Sequence, residues 1–158
     1  MKRWILLAIT GAACVFGSTA QAADLQPLTA ADVPRVFASA SGHPLIVEIW
    51  SLDCSYCREN TARIVEWQKK RRDVRMTMIA MDPIDDAAAT LAQVLATLPV
   101  TPEVAQYANA EAIPEKLRHA LDPGWRGEMP RTLLIDAKGE RRASSGLLQP
   151  AALDAWHR

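Results

Sequence analysis

Leu45-Ile46-Val47-Glu48-Ile49-Trp50-Ser51-Leu52-Asp53-Cys54-Ser55-Tyr56-Cys57 is the stretch from which the rest of the chain is read. Its first six residues are apolar and rich in β-branched side chains, with one glutamate among them. That is the pattern of a strand covered on both faces. Ser51-Leu52-Asp53 connects. From Cys57 to Arg72, residues Thr61, Ile64, Val65 and Gln68 recur at helical spacing before the basic end Lys69-Lys70-Arg71-Arg72. Cations suit a helix C-terminus, and this run reads as a solvated last turn. Two cysteines spaced by two residues therefore stand where a strand ends and a helix begins. Open α/β sheets carry their sites at that edge.

What precedes this stretch is an address. Lys2 and Arg3 form a basic start, Trp4 to Phe16 is apolar or small, and Ala20-Gln21-Ala22 offers small residues at the positions a signal peptidase inspects. Residues 1–22 are thus predicted to be a signal peptide, cleaved after Ala22. An uncleaved anchor and a lipoprotein acylated at Cys14 are the alternatives. The apolar run is short for a membrane span, and Gly11 stands where lipoprotein signals usually carry a branched aliphatic residue. The exported chain, residues 23–158, keeps two of the three cysteines, Cys54 and Cys57. Exported proteins use disulfides mainly to close long loops. A bridge between residues three apart closes almost none, so the pair reads as chemistry. A zinc site would need two more ligands. The three histidines, His43, His119 and His157, are scattered without ligand spacing. A redox pair is preferred over a metal site or idle thiols.

Lys plus Arg is 18 and Asp plus Glu is 18, a balance without the basic surplus a nucleic-acid binder needs. Asp24 to Thr29 reads as a loose leader. Asp32 can cap a short helix bearing Val36, Phe37 and Ala40, which Gly42-His43-Pro44 breaks. Val74 to Met81 is a second strand, stopped by Pro83. Ala87, Leu91, Val94, Leu95 and Leu98 recur at helical intervals, and two short helical pieces follow, Glu103 to Ala108 and Pro114 to Leu121. Asp122-Pro123-Gly124 is a turn. Thr132 to Asp136 is a third strand, turned by Ala137-Lys138-Gly139 into a fourth, about Glu140 to Ser144, and Pro150 to Trp156 is a final helix. The expected class is α/β, a mixed central sheet flanked by helices. Its first two strands should be parallel, with a helical insertion, about 83–124, between the second and third strands.

The chemistry follows from placement. A thiolate at Cys54 would be favoured by the helix dipole and the unpaired N–H groups of the first turn. Cys57, one turn in, should be more buried. Cys54 would attack a disulfide and Cys57 would resolve the mixed disulfide. Glu48 is the candidate base for Cys57, because a carboxylate buried in that strand would hold its proton to higher pH. Strand alternation turning Glu48 to solvent is the competing reading. Val47 and Ile49 would share the opposite face.

Glu48 to Cys57 resembles the acidic residue, aromatic and Cys-x-x-Cys that open a thioredoxin active site. Gly127-Glu128-Met129-Pro130-Arg131-Thr132-Leu133-Leu134-Ile135-Asp136, followed by Lys138-Gly139, resembles the proline strand of TlpA-type periplasmic thiol–disulfide oxidoreductases. The resemblance covers nearly all of residues 23–158. It implies a thioredoxin-like fold, a cis Met129-Pro130 bond beside Cys54, and a substrate groove lined by Tyr56, Met129, Pro130 and Arg131. It implies no cofactor beyond the Cys54–Cys57 disulfide, and protein thiols or disulfides as substrates of a monomer. It also implies re-reduction by a membrane electron carrier of the DsbD or CcdA kind. Two departures bear on direction. Ser55-Tyr56 lacks the usual proline before the second cysteine, and Asp53 stands where thioredoxin has tryptophan. A periplasmic disulfide reductase is the expectation. An oxidase or isomerase on the same fold and a thiol-based metal-binding module are the alternatives. Trp125-Arg126 reads as a packed tryptophan ahead of a partner-docking patch.

Overall fold

In the computed structural model, which describes residues 24–158, the run around Glu48 is the strand on which the others are assembled. Six strands form one sheet among the described residues: β1 (Leu25–Leu28), β2 (Leu45–Trp50), β3 (Arg75–Pro83), β4 (Ala105–Asn109), β5 (Arg131–Ile135) and β6 (Arg141–Ser145). Their spatial order is β1-β4-β3-β2-β5-β6. Every residue of β2 is buried, as its unbroken apolar pattern requires. β2 and β3 are parallel, and β5 and β6 are antiparallel additions on the other side. The expected signal segment, with Cys14, lies outside the described residues.

Helices α1 (Val33–Ala38), α2 (Cys57–Gln68), α3 (Ile84–Leu95), α4 (Pro114–Leu121) and α5 (Pro150–His157) cover the two faces. Strand alternation divides the core accordingly. Leu45, Val47 and Ile49 join Val33, Val36, Leu117 and Leu121 under α1 and α4. Ile46 and Trp50 join Ile64, Val65, Leu91 and Leu153 under α2, α3 and α5. Glu48 falls between Ile46 and Trp50 and therefore faces the α2 side.

The expected insertion is not purely helical. The leader at Asp24 to Thr29 contains the edge strand β1, and the piece expected as helix at Glu103 to Ala108 is strand β4. Each supplies what the other lacks. β1 pairs in parallel with β4, and β4 with the open edge of β3. Two four- and five-residue segments with weak local pattern become strands because the sheet edge offers them hydrogen-bond partners. Gln106 and Ala108 turn inward while Ala105 and Tyr107 are half-covered, the alternation of a strand.

Smaller departures have local causes. Helix α2 stops at Gln68, so the basic run forms the turn beyond it. Lys69, Lys70 and Arg72 are exposed there, but Arg71 lies 4.2 Å over the Trp67 ring and pairs with Asp154 of α5. Asp32 does not cap a helix that follows it. Its carboxylate accepts the N–H and hydroxyl of Thr29, closing the turn that leads into α1. Gly139 takes a φ of +88° in the β5–β6 hairpin, a conformation glycine adopts without strain.

Ile79, fully buried in β3, tests the core. Ile79→Ala is expected to cost about 2–5 kcal/mol in urea unfolding. The same truncation at Ile113, 51% exposed, should stay within about 0.5 kcal/mol.

Candidate active site

Strand β2 ends at Trp50, and α2 begins at Cys57. The intervening turns are tied by hydrogen bonds from the Cys54 N–H to the Ser51 carbonyl (3.2 Å) and from the Cys57 N–H to the Cys54 carbonyl (3.3 Å). The Leu52 N–H donates to the Asp82 carboxylate at the end of β3 (3.0 Å), which pins this loop to the neighbouring strand. Cys54 and Cys57 are joined as a disulfide, with Cα atoms 5.4 Å apart. Cys54 is half-buried and Cys57 is 2% exposed, the asymmetry the sequence reading requires. Ser55 and Tyr56 project into solvent, and Tyr56 is 60% exposed. Asp53 is exposed as well, so water screens its charge from Cys54. Two surface clefts, of about 660 and 1050 Å³, lie elsewhere and neither cysteine lines them. Cys54 and the Ser55-Tyr56 turn lie at the surface, with Cys57 beneath them.

Glu48 is fully buried and faces the α2 layer, so the solvent-facing reading is set aside. Loss of hydration pushes its carboxyl from the ordinary 4.5 up to about 8, with Thr61 and Asn60 pulling the other way. One oxygen, Oε1, accepts from the Asn60 amide (3.2 Å), while Oε2 has no hydrogen-bond partner among the described residues. Asn60 also donates to the Thr132 hydroxyl of β5 (3.2 Å) and accepts from the Leu148 N–H (2.7 Å). The adjacent Thr61 hydroxyl donates to the Cys57 carbonyl (3.0 Å). This network links β2, β5, α2 and the segment before α5. Sequence reasoning passed over Asn60. The signal was there, since Cys57, Asn60, Thr61 and Ile64 share one helical stripe and asparagine is the polar amide on it.

The Met129-Pro130 bond is cis. Arg131 pairs with Ile49 across the antiparallel β5–β2 ladder, so the proline sits level with the end of β2, just before the cysteine loop. Met129 and Cys54 pack against the same core layer. Arg131 departs from its expected role. Directly opposed residues share a face, so its side chain follows Ile49 toward the α4 side. There Arg131 pairs with Asp122 and donates to the Ser145 hydroxyl (2.8 Å). Partial burial opposes the charge on Asp122. Hydrogen bonds from Arg131 and the Gly124 N–H still hold its carboxyl below the ordinary range. The arginine thus clamps the proline strand to the end of α4, and its guanidinium is committed there. Trp125 is packed, 3% exposed, and its indole N–H donates to the Glu128 carbonyl (2.8 Å). Arg118 of α4 donates to the Trp125 carbonyl (2.8 Å). The structure brings Cys54, Cys57, Glu48, Met129 and Pro130 to one end of one layer, leaves Tyr56 at the rim, and turns Arg131 away.

No family model and no curated protein matches the chain. Solved structures do. DsbF of Mycobacterium tuberculosis, in mixed oxidised and reduced forms, superposes with a TM-score of 0.57 at 13% identity, over 75% of this chain and 81% of that one. A thioredoxin-family thiol:disulfide interchange protein from Chlorobium tepidum gives 0.54 at 21%, over 75% and 80%. A thioredoxin-related protein from Neisseria meningitidis serogroup B gives 0.50 at 26%, over 74% and 84%. The chain has the thioredoxin fold, with its cysteine pair at the start of the helix that follows the central strand.

Proposed function

We propose that the protein is an exported, periplasmic thiol–disulfide oxidoreductase that reduces disulfides in proteins. The observation that carries this reading is the pairing of a half-exposed Cys54 at the mouth of α2 with a buried Cys57 in the layer of a buried carboxyl, Glu48. The helix dipole favours the Cys54 thiolate. That thiolate attacks one sulfur of a substrate disulfide. A Cys54–substrate disulfide forms, and the other substrate sulfur leaves and takes a proton. Glu48 as carboxylate then accepts the Cys57 proton. The Cys57 thiolate attacks the Cys54 sulfur, the second substrate thiolate leaves and is protonated, and the Cys54–Cys57 disulfide remains. Two electrons pass to the substrate. A carboxyl titrating near 8 is well matched to a thiol, whose ordinary value is about 8.5, so the proton transfer is nearly balanced in energy.

Tyr56 and Met129, beside the buried Pro130 whose carbonyl is taken by the Gly146 N–H (2.8 Å), offer the surface for an extended substrate. A dithiol donor outside the chain must then return two electrons to the disulfide, and the resemblance points to a membrane carrier of the DsbD or CcdA kind. The signal-like pattern read in residues 1–22 supports a periplasmic place. Among the described residues no helix is long and apolar enough to cross a membrane.

Cys57→Ala is expected to accumulate substrates as mixed disulfides on Cys54 in periplasmic extract, released by dithiothreitol. An extract without such adducts rejects the reading. The reduction potential of the Cys54–Cys57 couple separates direction: a reductase is expected near about −270 mV, and a value near about −120 mV assigns the oxidase. Glu48 generates a pH signature in stability. Between pH 4.5 and about 8 the folded chain keeps a proton that the unfolded chain has released, so stability declines as pH rises through this window and levels off above it. Glu48→Gln, which mimics the protonated acid, should flatten this decline in urea midpoints taken from pH 5 to 9.

A further inference from the structure

The hydrogen bonds around Asn60 are directional, and their directions bear on where the Glu48 proton can reside. The Leu148 N–H can only donate, so it sets the Asn60 carbonyl toward Leu148 (2.7 Å). The Asn60 Nδ2 must then face the sheet, where its two hydrogens go to Glu48 Oε1 and to the Thr132 hydroxyl oxygen, each at 3.2 Å. Asn60 is wholly buried, so no water competes for these bonds. All its donors and its acceptor are engaged, and the amide cannot flip without opposing the Leu148 N–H with its own hydrogens.

We infer that Asn60 is a positioning residue that assigns the mobile proton of the active site to Glu48 Oε2. A protonated Oε1 is a poorer acceptor than a carbonyl oxygen, so the bond from the Asn60 amide is strongest when the proton lies on the other oxygen. Oε1 is therefore an acceptor in both protonation states, and the proton is carried by Oε2, the oxygen without a hydrogen-bond partner among the described residues. Asn60 keeps donating when the proton leaves, so alongside the neighbouring Thr61 it favours the carboxylate and holds back the rise that burial imposes.

Among the described residues the surroundings supply no competing charge. Met78 of β3 and Thr132 of β5 flank Glu48 in the sheet. Helix α2 contributes Cys57, Asn60 and Thr61 to that layer, and α5 contributes Leu153. Among the described residues Glu48 is the sole fully buried charged side chain. The Cys57 thiol and the half-buried Cys54 thiol, once reduced, are the other titratable groups of that layer.

The catalytic consequence rests on the oxidoreductase reading, whereas the placement of the proton does not, and the test separates them. The Glu48 carboxyl carbon is titrated by carbon-13 NMR in the oxidised protein, its signal assigned by its loss in Glu48→Gln. In Asn60→Ala the Glu48 pKa is expected to rise by about one unit, since one donor to the carboxylate is gone. Thr132→Val removes the other acceptor of the same amide hydrogens but leaves the Glu48 bond, so it should leave the titration in place. Asn60→Leu, close to asparagine in size, carries the same expectation as Asn60→Ala should the latter fail to fold. The second readout is the pH profile of the resolving step, followed as release of 5-thio-2-nitrobenzoate from a mixed disulfide on Cys54. Its inflection should move upward in Asn60→Ala together with the NMR value and stay put in Thr132→Val. A Glu48 titration that is unmoved or lowered without Asn60, or moved equally by Thr132→Val, overturns the inference. An upward NMR shift in a protein that releases no chromophore at any pH would uphold the proton's placement and reject the oxidoreductase reading instead.

Discussion

Burying a lone carboxyl in the middle of a sheet opposes folding, and the centre of this molecule is organised around that opposition. Among the described residues Glu48 has no cationic partner in its layer, so it holds its proton to about pH 8 instead of ionising. It is tolerated because Asn60 reaches across from α2 and because the same amide binds β5 and the segment leading to α5. The strand, the helix that carries the cysteines and the strand that carries the proline are thus joined at one polar point within an apolar layer. A network of this kind fixes the register of its elements, since an unsatisfied amide at that depth would cost about 1–3 kcal/mol.

The insertion between β3 and β5 has a structural task that its sequence does not advertise. Its strand β4 bridges β3 to the N-terminal β1, widening the sheet beyond the part that holds the cysteines. Its helix α4 is followed by Asp122, which grips Arg131, while Arg118 grips the Trp125 carbonyl. Both contacts hold the loop that delivers Pro130 to the level of the cysteine turn. The insertion therefore steadies one wall of the site from behind, and a side chain expected at the substrate surface is consumed in doing so.

The elements with strong local pattern were legible from the residues alone. The central strand, the helix after the cysteines, the parallel partner, the hairpin and the final helix all appear where periodicity and turn residues place them, within a few residues. The placement of Cys54 and Cys57 at a strand-to-helix junction was legible, and so was the inward turn of Glu48 from the apolar residues beside it. Strands β1 and β4 were not. Leu25 to Leu28 and Ala105 to Asn109 have too little pattern of their own, and their state is decided by an open edge that forms only when distant segments meet.

Sequence by itself determined which residues could do chemistry, because reactivity resides in side-chain type and in spacings too short for the fold to alter. Two thiols three residues apart, preceded by a carboxyl in an apolar strand, have the same meaning in any register that buries the strand. Tertiary structure alone decided which polar groups serve that chemistry and which are spent on holding it. Asn60 bonds Glu48 and Arg131 bonds Asp122 because hydrogen bonds and ion pairs depend on separations of about 3 Å. Residues 12 and 9 positions apart come that close only through the packing of the whole sheet.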